Sequence, residues 1–186
     1  MMWREKNVAM QKLQQAIKEG KADEPALPLL DEINSKDDYF TSSSCYGRVL
    51  VIDAKRRKNE SRFLGRWHRK ITFEEAKEVI DANEGNIWFR FEPFILHISC
   101  RDIPATQRML AIKTKLGFKR GGVFQIKTGR VQIELEGTDL MAVPVKDKKQ
   151  RLVTDDYLRF LVKTANDKFD SNEKKWQRFR EEVTRL

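Results

Sequence analysis

Apolar side chains recur every three to four residues in six stretches of the chain, the spacing that places them on one face of an α-helix. The predicted helices cover residues 2–18, 25–34, 72–83, 105–116, 154–168 and 171–185. The third begins with Thr72-Phe73-Glu74-Glu75, which has the capping-box pattern, and Gly117 follows the fourth as a residue that ends helices. Start and stop signals therefore agree with the periodicity at these two helices.

Stretches rich in β-branched and aromatic residues lie between the helices and are predicted as β-strands. They cover residues 39–45, 47–53, 62–70, 86–91, 94–100, 123–128, 130–136 and 139–145. In the strand at 94–100, His97 and Cys100 are three positions apart. Because side chains alternate along a strand, we expect these two residues to face opposite sides of the sheet.

This order of elements predicts an α+β fold. A chain of 186 residues can bury a core of its own, so we expect residues 1–186 to form a single three-layer domain. Its sheet is predicted to be mixed, largely antiparallel and flanked by helices. The glycine-containing segment 117–122 follows a helix and precedes a strand, which is the reverse of the order in nucleotide-binding loops. A Rossmann-type fold is therefore not predicted.

The chain is basic, with 37 Lys and Arg against 28 Asp and Glu, a formal net charge of +9 and a pI near 9.6. Such an excess favours a polyanionic partner, most commonly a nucleic acid. Residues 55–70 concentrate the charge around a single acid, Glu60; the basic residues there are Lys55, Arg56, Arg57, Lys58, Arg62, Arg66, Arg69 and Lys70. We interpret this stretch as a nucleic-acid interface, with a merely solvated hairpin tip as the alternative.

Cysteine content and hydropathy indicate the compartment. Cys45 and Cys100 are far apart in a charge-rich chain and do not suggest a disulfide framework. The sequence also contains no apolar run of the length of a signal peptide or a membrane span. We therefore expect a soluble, cytoplasmic protein without membrane association.

Residues 41–48 combine four hydroxyls, a thiol, a glycine and an arginine directly before the apolar run of a predicted strand. A segment of small polar side chains beside a rigid strand is typical of a ligand-binding site. A zinc site formed by Cys45, His68, His97 and Cys100 is not favoured, because His97 and Cys100 cannot point at one ion. Catalysis by a nucleophilic Cys45 or serine with a histidine base stays open, although no nucleophile-elbow pattern occurs.

A group of motifs spans nearly the whole chain. It comprises Asn34, Asp37, Phe40-Thr41, Ser43-Ser44-Cys45, Gly47-Arg48, Trp67-His68, Phe91-Glu92-Pro93-Phe94-Ile95-Leu96-His97, Gly117-Phe118, Val143-Pro144, Val153, Tyr157, Asn166, Lys168 and Asn172. Together these residues resemble the tRNA wybutosine-synthesizing methyltransferase family. Two positions depart from the family's pattern: Tyr46, where relatives usually carry a small residue, and Gly121, where they often carry serine.

The resemblance implies an enzyme that uses S-adenosyl-L-methionine and no metal. Its reaction would be methylation of the ring nitrogen at position 4 of 7-(3-amino-3-carboxypropyl)-4-demethylwyosine, at position 37 of tRNA(Phe), in wybutosine biosynthesis. The polynucleotide partner would be the anticodon stem-loop, and the fold would not be the Rossmann-type methyltransferase fold. A non-catalytic tRNA-binding module and a cysteine-dependent hydrolase remain the alternatives.

The expected site residues fall into three groups. The methyl donor would be bound by Ser43, Ser44, Cys45, Gly47 and Arg48, with the Arg48 guanidinium on a carboxylate of the donor or of the substrate. The candidates for the general base are His97, Glu92 and His68. The phosphates of the tRNA would be bound by Lys55, Arg56, Arg57, Arg62, Arg66 and Arg69. Tyr46 or Trp67 is expected to stack on the extruded base.

Overall fold

A computed structural model describes residues 4–55, 57 and 60–186 of the chain. Its helices are α1 (Arg4–Lys18), α2 (Leu27–Ser35), α3 (Phe73–Ala82), α4 (Ile103–Lys115) and α5 (Asp155–Thr184), with a short 3-10 helix at Glu24–Ala26. Its strands are β1 (Tyr39–Cys45), β2 (Arg48–Asp53), β3 (Arg62–Trp67), β4 (Gly85–Glu92), β5 (Ile95–Cys100), β6 (Arg120–Lys127), β7 (Arg130–Glu136), β8 (Met141–Lys148) and β9 (Gln150–Arg151). No helix in this part of the chain is long and apolar enough to cross a membrane.

The chain divides into two compact units. The first contains the described residues up to Tyr46, Phe94–Thr138 and Lys174–Leu186, and the second contains Gly47–Pro93 and Asp139–Glu173. The first unit holds a four-stranded sheet in the order β1-β5-β7-β6, and the second a five-stranded sheet in the order β3-β2-β4-β8-β9. The predicted α+β class with largely antiparallel pairing is confirmed, whereas the described strands form two sheets instead of one. That residues 1–186 form a single domain stays a prediction.

In the first unit, side-chain alternation along β5 and β7 separates the core from the outer face of the sheet. Leu96 and Ile98 of β5 are fully buried and pair with Leu135 and Ile133 of β7. The residues between them, such as His97, remain partly exposed. This is the period-two pattern of a sheet with one face on the core, and it gives the outer face its polar side chains.

The second unit has its own core under β4. Ile87, Phe89 and Phe91 alternate along this strand and are fully buried, and the Phe91 ring lies 6.0 Å from that of Phe169. Helix α3 begins with the predicted capping box: the Thr72 hydroxyl accepts the Glu75 amide, and the Glu75 carboxylate accepts the Thr72 amide. The predicted start of α3 is therefore confirmed.

The prediction of two helices at the C-terminus is wrong, because α5 runs without a break from Asp155 to Thr184. The sequence predicts that Ser171 begins the last helix. Its hydroxyl instead donates to Asp139 Oδ2 at 3.1 Å, so it does not act as an N-cap. Phe169 and Asn172 are buried, so tertiary packing outweighs the low helix propensity of this segment.

Gly121 lies where β6 pairs with β7. Its φ is +78°, and a Cβ at this position would collide with the backbone carbonyl of Glu134. The backbone of this chain therefore requires glycine at a position where relatives are expected to carry serine.

Candidate active site and nucleic-acid interface

A cavity of about 770 Å³ lies in the first unit beside β1. Its walls come from α1, the segment after α1, and four polar residues of β1; the β1 residues are Thr41, Ser42, Ser43 and Ser44. Leu30, Phe40 and Arg130 also line the cavity. This volume falls within the range of about 300–1,000 Å³ that is typical of small-molecule sites.

A β-bulge in β1 shapes the wall of serines. Thr41 pairs with Ile98 and Ser43 pairs with His97, so Ser42 is the additional residue. A bulge re-aims the side chains of its strand, which lets three consecutive serines contribute to one cavity wall. Asn34 fixes the start of the bulge, since its Oδ1 accepts the Thr41 amide at 2.8 Å.

Helix α1 contacts the rest of the first unit through a buried lysine. Lys6 is its only buried residue among those described, and the Lys6 ammonium donates to the backbone carbonyl of Lys36 at 2.6 Å. Burial lowers the pKa of Lys6. Val8 and Leu13 of the same helix line the cavity. The apolar side of α1 is thus available to a ligand instead of being fully used in a core.

The charged residues that line the cavity have both signs. Arg4, Lys12, Lys21 and Arg130 are basic, and Glu5 and Asp23 are acidic. Asp23 is held in place near the end of β1, because its Oδ2 accepts the amide of Tyr46 at 2.7 Å. The cavity can therefore accept a ligand that carries both a cation and a carboxylate.

His97 lies in the same sheet, directly opposite Ser43 on one side and Glu134 on the other. Its Nε2 is 2.9 Å from Glu134 Oε2, and the two side chains are 29% and 32% exposed. The Phe124 ring packs on the imidazole with its centroid 5.0 Å away. When Nε2–H donates to the carboxylate, Nδ1 is left as the proton acceptor.

Sequence reasoning did not identify Glu134. Its only signal was the alternation of β7, in which outward-facing polar residues lie between buried apolar ones. That Glu134 lies opposite His97 depends on the pairing of β5 with β7, which periodicity cannot predict.

The predicted strand geometry of His97 and Cys100 is confirmed. Cys100 is fully buried, whereas His97 is partly exposed. Burial raises the pKa of the Cys100 thiol to about 11, so this thiol is not a nucleophile. Cys45 ends β1 and is only partly buried.

Arg48 and Glu92 face each other on β2 and β4 of the second unit. Nε and Nη2 of Arg48 donate to Glu92 Oε2 at 2.9 and 2.8 Å. Arg90 Nη1 lies 4.0 Å from the other carboxylate oxygen. The guanidinium predicted to bind a ligand carboxylate thus has a carboxylate of the chain as its partner, and Glu92 is committed to two arginines.

Gly47 separates β1 from β2 and has a packing role. Its φ is +113°, and a Cβ here would lie 2.8 Å from Nδ2 of the buried Asn172. A side chain at this position would therefore need both an unfavourable backbone conformation and displacement of Asn172.

Two of the predicted tRNA-binding cations are anchored by one buried carboxylate, Asp53. Lys55 Nζ lies 3.0 Å and Arg62 Nη2 lies 3.6 Å from Asp53 Oδ2, and the Asn86 amide donates to Oδ1. Burial acts to raise the pKa of Asp53, but the hydrogen bond and charge of Lys55, with help from Asn86 and Arg62, lower it overall. Asp53 therefore joins Lys55, at the start of the basic stretch, to Arg62, near its middle.

The other described basic residues of this stretch lie at the surface, and Lys58 lies outside the described residues. Arg69 forms a two-pronged contact with Glu75, at 2.6 and 3.2 Å. Arg57 lies 3.7 Å from Glu60, and both side chains are exposed. Arg66 is exposed on β3. Arg56 lies outside the described residues.

The prediction that Tyr46 stacks on the extruded base is wrong. Its side chain is 3% exposed and packs edge-on against Trp176, with ring centroids 5.3 Å apart. A ring buried in this way cannot stack on a base. Trp67 and His68 are partly buried in the second unit.

Comparison with known proteins assigns the class. Residues 4–185 match the model of a methyltransferase family, so the chain belongs to that family and is an enzyme. The family is described as methyltransferase TYW3, which confirms the resemblance seen in the sequence. Neither a non-catalytic module nor a cysteine-dependent hydrolase is represented among the relatives described next.

Relatives of similar length have names that state a tRNA(Phe) methyltransferase activity. The chain is 32% identical over 186 residues to tRNA(Phe) 7-((3-amino-3-carboxypropyl)-4-demethylwyosine(37)-N(4))-methyltransferase 1 of Pyrococcus abyssi, covering 98% of this chain and 96% of that protein. It is 34% identical over 168 residues to the protein of corresponding name from Methanocaldococcus jannaschii, covering 88% of this chain and 87% of that protein. The solved structure of PH1069 from Pyrococcus horikoshii has a TM-score of 0.91 at 30% identity, and the match covers 97% and 94% of the two chains.

Proposed function

We propose that this protein transfers a methyl group from S-adenosyl-L-methionine to N4 of 7-(3-amino-3-carboxypropyl)-4-demethylwyosine at position 37 of tRNA(Phe). Support comes from relatives of nearly the same length whose names state this activity. The structural observation that supports the proposal is the cavity of about 770 Å³ with its wall of serines, one of which, Ser43, is opposite His97 on the neighbouring strand.

The cavity suits the methyl donor. S-Adenosyl-L-methionine carries a carboxylate together with ammonium and sulfonium cations, and the lining has basic and acidic side chains. Ser43 and Ser44, two of the residues expected to bind the donor, belong to this lining. Contacts of the donor with Cys45, Gly47 and Arg48 stay predictions, as does the absence of a metal.

His97 is the favoured general base. The donor supplies an electrophilic methyl group, so the chain must align the acceptor nitrogen and remove its proton. When Nε2–H of His97 donates to the Glu134 carboxylate, Nδ1 can accept that proton. Glu92 is less suited to this role, because Arg48 donates two hydrogen bonds to one of its oxygens. A role of His68 as the base stays a prediction.

The basic surface of the second unit would bind the tRNA, and its anticodon stem-loop in particular. Arg57, Arg62 and Arg66 are exposed, and phosphate contacts require exposed cations. Lys55 and Arg62 are positioned through Asp53, which reduces the conformational entropy lost when they bind phosphate.

The test is methyl transfer to a defined nucleoside. The protein is incubated with labelled S-adenosyl-L-methionine and tRNA from cells that lack this methylation, and the tRNA is then digested to nucleosides. Label is expected in the wyosine derivative at position 37 alone. Label in another nucleoside would contradict the proposed substrate, and absence of label with a protein shown to be folded would contradict the activity.

A further inference from the structure

We propose that Phe63 of β3 is the surface on which an unpaired base of the RNA stacks, with Arg66 binding the adjacent phosphate. This inference rests on the proposed function only in taking an RNA as the partner. Phe63 lies outside the residues proposed for donor binding, proton transfer and phosphate binding.

Phe63 is an exposed aromatic residue between two cations. Its side chain is 52% exposed. The Cζ atoms of Arg48 and Arg66 lie 5.4 and 5.9 Å from the centroid of its ring. Single exposed apolar residues are common on proteins, but two guanidinium groups within about 6 Å of one ring are a specific arrangement.

The strand pairing explains the exposure. β3 is an edge strand of its sheet, and its register with β2 shifts between Val51 and Ile52, where Phe63 is opposite Ile52. This shift makes Leu64 the additional residue of a bulge. An edge strand with a bulge has one side open to a partner, and bulges commonly re-aim side chains at binding sites.

The two arginines differ in what they can do. Glu92 holds the Arg48 guanidinium through two hydrogen bonds, so Arg48 is fixed beside the ring. Arg66 is exposed on the edge strand, so its guanidinium, 5.9 Å from the ring centroid, can turn away from the ring to a phosphate. A ring to stack on and a cation for the phosphate are the two elements that single-stranded nucleotides require.

The chemistry favours an unpaired nucleotide over other partners. A base in a duplex already stacks on its neighbours and cannot lie on Phe63, whereas a base in an RNA loop can. A protein partner would prefer a larger apolar surface with fewer arginines around it. The other exposed residues of β3, Arg62 and Arg66, are both basic.

The experiment measures binding of a labelled RNA hairpin with an unpaired loop, and of a fully paired duplex of equal length, to the full chain. Phe63→Leu is expected to weaken hairpin binding at least about fivefold and to leave duplex binding unchanged, since stacking on an aromatic side chain is worth about 1–3 kcal/mol per base. Phe63→Trp is expected to keep the affinity of the unaltered protein. Phe160→Leu is the matched control, because Phe160 is 59% exposed on α5 of the same unit.

Salt dependence separates stacking from charge. Phe63→Leu is expected to keep the slope of log K against log salt. Arg66→Gln should reduce that slope by about 0.7, the contribution of one phosphate contact on a single strand. If both variants change the slope equally, Phe63 acts only by placing Arg66, and stacking is excluded.

Three further outcomes would overturn the inference. They are unchanged hairpin affinity of Phe63→Leu, an equal loss on hairpin and duplex, and no fluorescence change of Phe63→Trp when saturating hairpin is added. A fourth outcome would also overturn it: Phe63→Leu loses binding to a protein partner and keeps its affinity for RNA. A methyl-transfer assay on the unaltered protein keeps the two proposals apart, because absence of transfer with intact stacking contradicts only the proposed function.

Discussion

His97 and Glu134 are directly opposite each other on β5 and β7, with Nε2 and Oε2 2.9 Å apart. Ser43, which lines the cavity, is opposite His97 on its other side. One row across three strands therefore joins a wall of the proposed donor site to an imidazole and to the carboxylate that orients it. This row links the proposed ligand site and the proposed proton acceptor within one unit of the fold.

The first prediction concerns that row. We expect His97→Ala to lower the single-turnover rate of methyl transfer by about 10²–10⁴, the usual contribution of a general base. Glu134→Ala should lower the same rate by less, and the double variant should be no slower than His97→Ala, because Glu134 acts through His97. Glu136→Ala, at an outward position of the same strand, is the control. Additive losses from the two single variants would contradict this arrangement.

The second prediction concerns the cavity. At a concentration of S-adenosyl-L-methionine 100 times its Kd, the protein should gain about 2.7 kcal/mol in the free energy of unfolding. Ser43→Leu fills part of the cavity and should abolish the corresponding rise in Tm. Ser35→Ala, at the end of α2, should retain that rise. A full rise in Tm for Ser43→Leu would place the donor elsewhere.

The third prediction concerns the basic stretch. Replacement of Arg56 and Arg57 by alanine is expected to weaken tRNA binding and to reduce the slope of log K against log salt by about 0.7–0.9 for each phosphate that the variant no longer binds. Lys163→Ala is a control on the exposed surface of α5, where Lys163 pairs with Asp167 at 2.8 Å. If affinity and slope both match those of the unaltered protein, these residues do not belong to the interface.

The fourth prediction concerns stability at low pH. Hydrogen bonds from Arg69 and from the Thr72 amide lower the pKa of Glu75 from 4.5 to about 2. Because the folded-state pKa is depressed, the stabilisation is complete above about 4.5 and is lost as the pH falls towards about 2.

Glu75→Gln should therefore lower the free energy of unfolding at pH 7 and flatten its dependence on pH below 4.5. Urea unfolding at a series of pH values measures both effects. Glu74→Gln serves as the control, since the side chain of Glu74 is 75% exposed in the same turn of α3. Equal pH dependence of the two variants would show that the capping contact does not cause the lowered pKa of Glu75.

Local signals predicted much of the secondary structure because they act over a few residues. The Thr72 capping box, the strand at Tyr39–Cys45 and the stop at Gly117 are present as expected. The break before Ser171 is absent, because contacts distant in sequence, such as that of Ser171 with Asp139, outweigh local propensity. Periodicity cannot report those contacts.

The sequence by itself determined the family, the basic stretch and the face on which His97 lies, since each depends on residue types at fixed spacing. Only the tertiary structure decided which residues meet across strands. In that structure Glu134 is opposite His97, and Arg48 donates hydrogen bonds to Glu92. Tyr46 is buried and Phe63 is exposed. The physical reason is that alternation sets which side of a strand a residue occupies, whereas strand pairing and packing set its neighbours.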